Sequence, residues 1–133
     1  MSRIVGIGLD VVDLRRFARL LERHGPAALR RICRDGEVRI AEGPGRIAHV
    51  AGLFAAKEAT MKALGTGWTA GVGFHQIEVA RRAGGAPELV LHGAALERCH
   101  ALGADRCHLS ITHDASTAAA VVVLEGAGPE TRG

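Results

Sequence analysis

Two lysines and two acidic residues supply the side chains best suited to phosphate and metal chemistry. Lys57 and Lys62 are the only lysines of the chain, against fifteen arginines, and both lie in the run Phe54-Ala-Ala-Lys57-Glu58-Ala-Thr-Met-Lys62. Because arginine supplies the positive charge elsewhere in the chain, lysine at two nearby positions indicates a need for a compact positive charge, for example to contact a phosphate. A surface ion pair between Glu58 and Lys62, four residues apart on a helix, is the alternative interpretation.

Asp10 and Glu58 are carboxylates in sequence contexts that favour apolar residues. Asp10 ends a predicted strand, where aspartate is depleted, and Glu58 lies between Ala55 and Ala59 in a predicted helix. Two converging carboxylates suit Mg²⁺, which takes one or two protein oxygens and keeps positions for water and substrate phosphates. Lys62 would then reach a phosphate oxygen. Spacing alone does not show that the two carboxylates meet, since 48 positions separate them.

Lys57 points about 100° away from Glu58 around a helix of 3.6 residues per turn. This direction leaves two interpretations open. Lys57 either contacts the phosphates from another side or anchors the helix.

A second group of charged residues lies on a predicted amphipathic helix that Asp13 caps. Its arginines fall on successive turns, with apolar residues at core spacing between them; they are Arg15, Arg16, Arg19 and Arg23. This face is either solvated or docks an acidic partner. A nucleic acid is the weaker choice of partner, because the aromatic residues that stack on bases make up only 3% of the chain.

The elements that must position these residues alternate between strands and helices. The pattern predicts strands over 3–12, 74–80, 88–91, 107–112 and 118–124, and helices over 13–23, 27–33, 46–64 and 93–101. Residues 34–45 are expected to form a broken helix and a loop. Gly6 and Gly8 predict a bulge or a close backbone approach in the first strand. Two connections are too short for parallel crossovers, so we expect an α+β fold with an antiparallel sheet around a long central helix.

Length and composition indicate one domain over 1–125, followed by a flexible tail over 126–133. The chain has no apolar run that could span a bilayer and no signal peptide, so we expect a cytoplasmic protein without a membrane partner. The three cysteines, Cys33, Cys99 and Cys107, lack a C-x-x-C spacing. This favours free thiols in a reducing compartment over a zinc site.

Five motifs in order resemble those of the holo-acyl-carrier-protein synthases, the small bacterial type of 4′-phosphopantetheinyl transferase. They are Gly6-Ile-Gly8-Leu-Asp10, Phe54-Ala-Ala-Lys57-Glu58-Ala-Thr-Met-Lys62-Ala-Leu-Gly65-Thr-Gly67, Phe74-His-Gln-Ile77-Glu78-Val79, Gly85-Ala-Pro87 and His108-Leu-Ser110-Ile-Thr112-His113-Asp114. The resemblance covers nearly the whole chain. It implies transfer of 4′-phosphopantetheine from coenzyme A to a serine of an apo acyl carrier protein, with release of adenosine 3′,5′-bisphosphate.

The resemblance also implies a role for individual residues. Asp10 and Glu58 would bind Mg²⁺, with Mn²⁺ also compatible, and Lys62 would complete the catalytic group. The residues implied to contact coenzyme A are Lys57, Lys62, Gly65, Pro87, Thr112 and His113. The acidic carrier protein would meet Arg15, Arg16, Arg19 and Arg23, and the protein would form a homotrimer with a coenzyme A site in each subunit cleft.

Leu53 and Ala86 depart from the family pattern, which usually has arginine and lysine there. The group that binds the 3′-phosphate of coenzyme A therefore stays open, as do the general base and the choice between a fatty-acid and a polyketide carrier. Two other functions remain as alternatives. One is a non-catalytic trimeric binding module of the same fold, and the other is a nucleic-acid binder that uses the arginine-rich helix.

Overall fold

The structure is a computed structural model that describes residues 1–38, 43, 45–67 and 71–130. Its strands are β1 (Arg3–Asp13), β2 (Ile77–Arg81), β3 (Pro87–Leu91), β4 (Arg106–His113) and β5 (Thr117–Gly126). Its helices are α1 (Leu14–Ile32), α2 (Asp35–Val38), α3 (Arg46–Leu64) and α4 (Gly93–Ala101). The predicted strands and helices are present, and Phe74–Gln76 forms a 3₁₀ turn where the start of a strand was expected. The broken helix and loop expected over 34–45 lie partly outside the described residues.

The strands form two antiparallel sheets, as the short connections predict. One sheet has the order β1-β5-β4, and β2 and β3 form a separate hairpin. Alternate residues of β5 are buried and face the core beside α3; they are Ala118, Ala120, Val122 and Leu124. The predicted α+β fold around a long central helix is therefore confirmed.

Helix α3 approaches β1 closely because glycines and alanines meet. A Cβ atom on Gly8 would lie 1.8 Å from the carbonyl oxygen of Ala59, and one on Gly6 would lie 2.3 Å from that of Ala63. The pairing of β1 with β5 also shifts register between Ile4 and Gly6. Both expectations for the first-strand glycines, a bulge and a close approach, are confirmed. The contact places the end of β1 beside the middle of α3.

Helix α1 consists of two helical stretches joined at Gly25. Gly25 has φ 59° and ψ −151°, and Pro26 follows it. The carboxylate of Asp13 accepts a hydrogen bond from the backbone N–H of Arg16 at 2.9 Å, so the predicted N-cap is present. Phe54 of α3 stacks at a tilt on Phe17 of α1, with ring centroids 5.3 Å apart. The predicted division into two helices is confirmed.

The C-terminal strand extends past the predicted domain boundary. Gly126 pairs with Arg3, and the backbone N–H of Gly128 donates to the carbonyl oxygen of Gly103 at 3.2 Å. The expected flexible tail over 126–133 is thus hydrogen-bonded at its beginning, while residues 131–133 lie outside the described part. Among the described residues, no helix has the length and apolar character needed to cross a membrane.

Candidate functional site

Strand β1 and helix α3 bring Asp10, Glu58 and Lys62 together. The ammonium of Lys62 donates to Asp10 Oδ1 at 3.2 Å and to the carbonyl oxygen of Leu9 at 2.9 Å. Glu58 lies one helical turn before Lys62, and its carboxylate is close enough to Asp10 for repulsion to affect its protonation. The two carboxylates thus converge although they are distant in sequence. Lys62 forms its ion pair with Asp10, so the alternative of an ion pair between Glu58 and Lys62 gains no support.

The electrostatics of the site favour an added cation. Burial raises the pKa of Glu58, the charge of Asp10 raises it further, and Lys62 opposes this shift. Lys62 compensates the carboxylates only partly, because its side chain is 55% exposed while that of Asp10 is 16% exposed. Two carboxylates close enough to repel each other, one of them with a raised pKa, form a donor set that suits a hard divalent cation. Asp10 and Glu58 therefore fit the Mg²⁺ that the family resemblance implies.

Asp10 and Glu58 offer two carboxylates, a ligand type and number that Mg²⁺ accepts. In the described part of the chain, no three histidine, cysteine, aspartate or glutamate side chains come together as a metal site. A cation on Asp10 and Glu58 would keep positions for water and phosphate, as Mg²⁺ does. The zinc alternative at Cys99 and Cys107 gains no support, since no third candidate ligand joins these two thiols in the described part of the chain.

A cavity of about 590 Å³ connects the carboxylates to the basic face of α1. Asp10 and Glu58 lie at one side of it, and its α1 wall carries Arg16, Arg19, Arg23 and His24. Arg15 is exposed but does not line this cavity. Three of the four arginines predicted to dock the carrier therefore line the same cavity as the acidic pair, and the fourth lies outside the cavity.

Lys57 is the clearest correction to the predicted site. Its side chain is completely buried, and its ammonium donates to the carbonyl oxygens of Ile32 and Phe74 and to Glu37 Oε1. All three ammonium hydrogens have acceptors, so none is left for a phosphate. This placement contradicts the predicted contact between Lys57 and coenzyme A, and it supports the alternative that Lys57 anchors the helix.

Glu37 is the residue that sequence reasoning missed. It is 6% exposed, and its carboxylate accepts from Lys57 and from the backbone N–H groups of Arg34 and Val79. The available signal was Lys57 itself, which stands four residues after Leu53 and four before Met61, both apolar and both buried. A lysine on such a helix face requires a buried acidic partner.

The other predicted coenzyme A contacts lie apart from the cavity. Gly65 ends α3 in a left-handed conformation with φ 73°, Pro87 begins β3, and Thr112 and His113 end β4. None of the four lines the cavity that contains Asp10 and Glu58. One subunit therefore contains the acidic pair but does not gather all the predicted contacts around it.

The two departures from the family pattern have different environments. Leu53 is buried and lines a separate cavity of about 630 Å³ together with Arg34, His49 and Arg81. Ala86 is exposed in the turn between β2 and β3. An apolar side chain at position 53 thus completes the core beside Lys57. Arg34 and Arg81 are the cationic side chains that border the same space.

Comparisons with known proteins identify the family of this chain. The family model of the 4′-phosphopantetheinyl transferase superfamily matches residues 6–122. The holo-[acyl-carrier-protein] synthase of Solidesulfovibrio magneticus is 54% identical over 123 residues, which cover 92% of this chain and 99% of the relative. That of Nitratidesulfovibrio vulgaris is 50% identical over 122 residues, covering 92% and 98%.

Solved structures of holo-[acyl-carrier-protein] synthases share the fold. The Bacillus anthracis structure, in complex with CoA (3′,5′-ADP), has a TM-score of 0.76 and 37% identity, covering 93% of this chain and 98% of its own. The Helicobacter pylori structure, in complex with coenzyme A, has a TM-score of 0.78 and 30% identity, covering 89% and 98%. Sequence motifs, fold and relatives agree, and the chain belongs to the 4′-phosphopantetheinyl transferase superfamily.

Proposed function

We propose that this protein is a holo-acyl-carrier-protein synthase, which transfers 4′-phosphopantetheine from coenzyme A to a serine of an apo acyl carrier protein. Adenosine 3′,5′-bisphosphate is the second product. The observation that carries the proposal is the convergence of Asp10, Glu58 and Lys62 beside a cavity whose α1 wall carries arginines. Relatives named holo-[acyl-carrier-protein] synthase, which match over nearly their whole length, support the same activity.

The chemistry requires stabilisation of negative charge on a pyrophosphate. The carrier serine attacks one phosphorus, and the leaving phosphate gains charge as the bridging bond breaks. Asp10 and Glu58 would hold Mg²⁺, or Mn²⁺ in its place, which when bound stabilises this charge as a Lewis acid. Lys62 orients Asp10 through its hydrogen bond and presents a half-exposed ammonium to the phosphates. The nucleophile belongs to the carrier, so no serine of this chain is needed.

The basic face of α1 is the proposed docking surface for an acidic carrier protein. Arg16, Arg19 and Arg23 line the cavity that reaches Glu58, so a carrier bound there would bring its serine toward the acidic pair. Arg15 lies on the exposed surface of the same helix and adds to the positive potential. The carriers of fatty-acid and polyketide synthesis are the two candidates, and their relative KM values distinguish them.

We propose a homotrimer, as the family resemblance implies, and its support is that the outer face of the main sheet is apolar on β1 and β5. Ile7, Leu9 and Val11 of β1 are 65%, 59% and 63% exposed. They are paired with half-buried residues of β5, among them Val121 and Val123. An apolar face of this kind is typical of a subunit interface. Assembly through it would place the end of β4, with Thr112, near a subunit boundary, as the resemblance implies for a site in the subunit cleft.

The odd number of cysteines supports a cytoplasmic location, because unpaired thiols are typical of a reducing compartment.

One assay distinguishes the transferase from the binding module and from the nucleic-acid binder. The purified protein is incubated with coenzyme A, Mg²⁺ and several apo carrier proteins, and the intact mass of each carrier is followed. We expect a mass gain of one phosphopantetheine group.

Two outcomes of this assay would contradict the proposed activity. Carrier binding without any mass gain would support the non-catalytic binding module. Failure to bind or modify any carrier, together with binding to nucleic acid, would support a basic nucleic-acid binder. Replacement of Glu58 by glutamine should abolish the mass gain, and Glu97→Gln is the matched control for that variant. Glu97 is exposed on α4 and does not line the cavity that contains Glu58.

A further inference from the structure

A buried ion pair joins five segments of the fold next to the acidic pair. Lys57 Nζ lies 2.7 Å from Glu37 Oε1, and the two side chains are 0% and 3% exposed. Through Lys57 the pair holds the end of α1 and the 3₁₀ turn that starts at Phe74. Through Glu37 it holds α2 and the backbone of Val79 in β2. We call Lys57, Glu37 and their acceptors and donors the polar hub.

The geometry of the hub explains a lysine in this arginine-rich chain. The acceptors, Ile32 O, Glu37 Oε1 and Phe74 O, lie 2.7, 2.7 and 3.2 Å from one nitrogen atom. An ammonium supplies three donors from one point, whereas a guanidinium spreads its donors over a flat fork. The Ile32 carbonyl is at the end of α1, where the last carbonyls have no partner within the helix. The hub therefore attaches the end of α1 to α3 through a hydrogen bond.

Apart from its close contact with β1, the apolar surface of α3 does little to specify the rotation of this helix about its axis. Its sequence contains six alanines, and buried residues occur around most of its circumference. A helix that is apolar all round lacks a single preferred face. Buried polar groups can select one packing arrangement where apolar contacts permit several. In α3 the buried side chain that hydrogen-bonds to other segments of the fold is that of Lys57, which directly precedes Glu58.

We propose that Lys57 is a positioning residue. The polar hub fixes the rotation of α3 and the position of the end of α1, so that Glu58 faces Asp10 and the cavity. This inference rests on the proposed function of Asp10 and Glu58. It assigns the hub no contact with coenzyme A or the carrier. The hub contributes orientation, and Glu58 and Lys62 contact the reacting groups.

The test removes both buried charges together. The double variant Lys57→Met, Glu37→Gln avoids leaving one charge unpaired in the core. We expect it to fold and to bind Mn²⁺ alone, measured by electron paramagnetic resonance, about ten-fold more weakly than the natural sequence. The kcat for transfer should fall about a hundred-fold, as expected for a misplaced catalytic group, while the KM for coenzyme A changes much less.

Leu91→Ala is the matched control for lost stability. Leu91 is buried in β3, outside the hub and outside the cavity of Asp10 and Glu58. Its thermal midpoint should fall, but Mn²⁺ affinity and kcat should stay within about two-fold of the natural sequence. The variant Lys57→Arg keeps the buried charge but spreads its donors over a flat fork, and it gives a second measurement if the double variant does not fold.

Three results would overturn the inference. They are unchanged Mn²⁺ affinity in both hub variants, equal losses of Mn²⁺ affinity in the hub variants and Leu91→Ala, and no Mn²⁺ binding by the natural sequence. The proposed function fails separately, if the natural sequence binds Mn²⁺ but modifies no carrier. In that case the Mn²⁺ measurements on the variants still decide the role of the hub.

Discussion

At the scale of single residues, Glu58 is held where ionisation is unfavourable. Burial raises its pKa first, repulsion from Asp10 raises it further, and Lys62 offsets part of the shift. A carboxyl group with a folded-state pKa above its unfolded value binds protons more tightly in the folded protein. Ionised Glu58 therefore lowers stability at neutral pH, and this loss is relieved as pH falls through the raised pKa. A bound divalent cation would reverse the balance.

Glu58→Gln should separate the function of this residue from its stability cost. We expect transfer to fall about a thousand-fold, which corresponds to several kcal/mol of lost charge stabilisation. Without metal, the variant should melt at a higher temperature than the natural sequence at pH 7, and this gain should disappear as pH falls below the raised pKa. The measurements are carrier modification rates and thermal unfolding in chelator over a pH series.

Glu97→Gln, which removes an exposed carboxylate, should change neither measurement. A Glu58→Gln protein with a normal transfer rate would contradict the assignment of Glu58. A stability difference that does not vary with pH would contradict the account of its raised pKa.

At the scale of elements, the approach of β1 to α3 sets the distance between the two carboxylates. Asp10 follows Gly8 by two residues, and Glu58 precedes Ala59, the residue whose carbonyl oxygen touches Gly8. No side chain larger than hydrogen fits at position 8, because the obstacle is backbone that cannot rotate away. The small residues of both elements are therefore part of the site although they carry no chemistry.

Gly8→Ala should damage both stability and activity. The added methyl group would meet Ala59 O at 1.8 Å, so β1 and α3 must separate. We expect a loss of about 3 kcal/mol in the free energy of unfolding. Transfer should also fall in any folded fraction, because Asp10 moves away from Glu58. Denaturant unfolding and specific activity per folded protein measure the two effects.

Gly73→Ala is the control for this change. Gly73 has an extended conformation with φ −137°, and a Cβ atom there would have no neighbour within 4 Å. It should behave like the natural sequence. If Gly8→Ala is equally neutral, β1 and α3 are not held at the distance that the structure shows.

Helix α1 contributes positive charge to the cavity wall, whereas the proposed metal ligands come from β1 and α3. The double variant Arg16→Glu, Arg19→Glu reverses two charges on the cavity wall. The KM for an acidic carrier should rise at least about ten-fold with little change in kcat, because the change acts on encounter and docking. Added salt should raise the KM of the natural sequence in the same direction. Steady-state kinetics at several salt concentrations measure both effects.

Arg82→Glu changes the charge of an exposed residue in the turn between β2 and β3. It should leave the carrier KM nearly unchanged. An equal rise in KM for Arg82→Glu and the α1 variant would show that net charge matters and that the basic face of α1 is not a docking surface.

At the scale of the whole molecule, the exposed apolar face of β1 is the surface that we propose as the subunit interface. Leu9 lies at its centre, is 59% exposed in one subunit and is paired with Val121. Leu9→Lys should place a charge in the proposed interface and prevent assembly, so that analytical ultracentrifugation detects monomers. Transfer should fall with it, if residues near the end of β4 complete a neighbouring site.

Leu96→Lys introduces the same charge at a leucine that is 38% exposed on α4. This control should assemble normally. A Leu9→Lys protein with the mass of the natural assembly would refute the proposed interface.

The sequence by itself determined the elements and the family. Asp13 as a cap, Gly25 and Pro26 as a break, and Gly65 as the end of α3 all act through neighbours within a few residues, so their effects could be predicted locally. Patterns of spacing likewise marked Glu58 and Lys62 as functional candidates. The tertiary structure decided where the charges meet.

Lys57 shows most clearly what only the tertiary structure could decide. Its acceptors come from Ile32, Glu37 and Phe74, which are 25, 20 and 17 positions away. The same applies to Lys62, which pairs with Asp10 at a separation of 52 positions and not with its helical neighbour Glu58. A long side chain takes the best acceptor that it can reach in space, and chain folding brings those acceptors from distant segments. The lysine that looked like a phosphate ligand is for this reason an internal anchor.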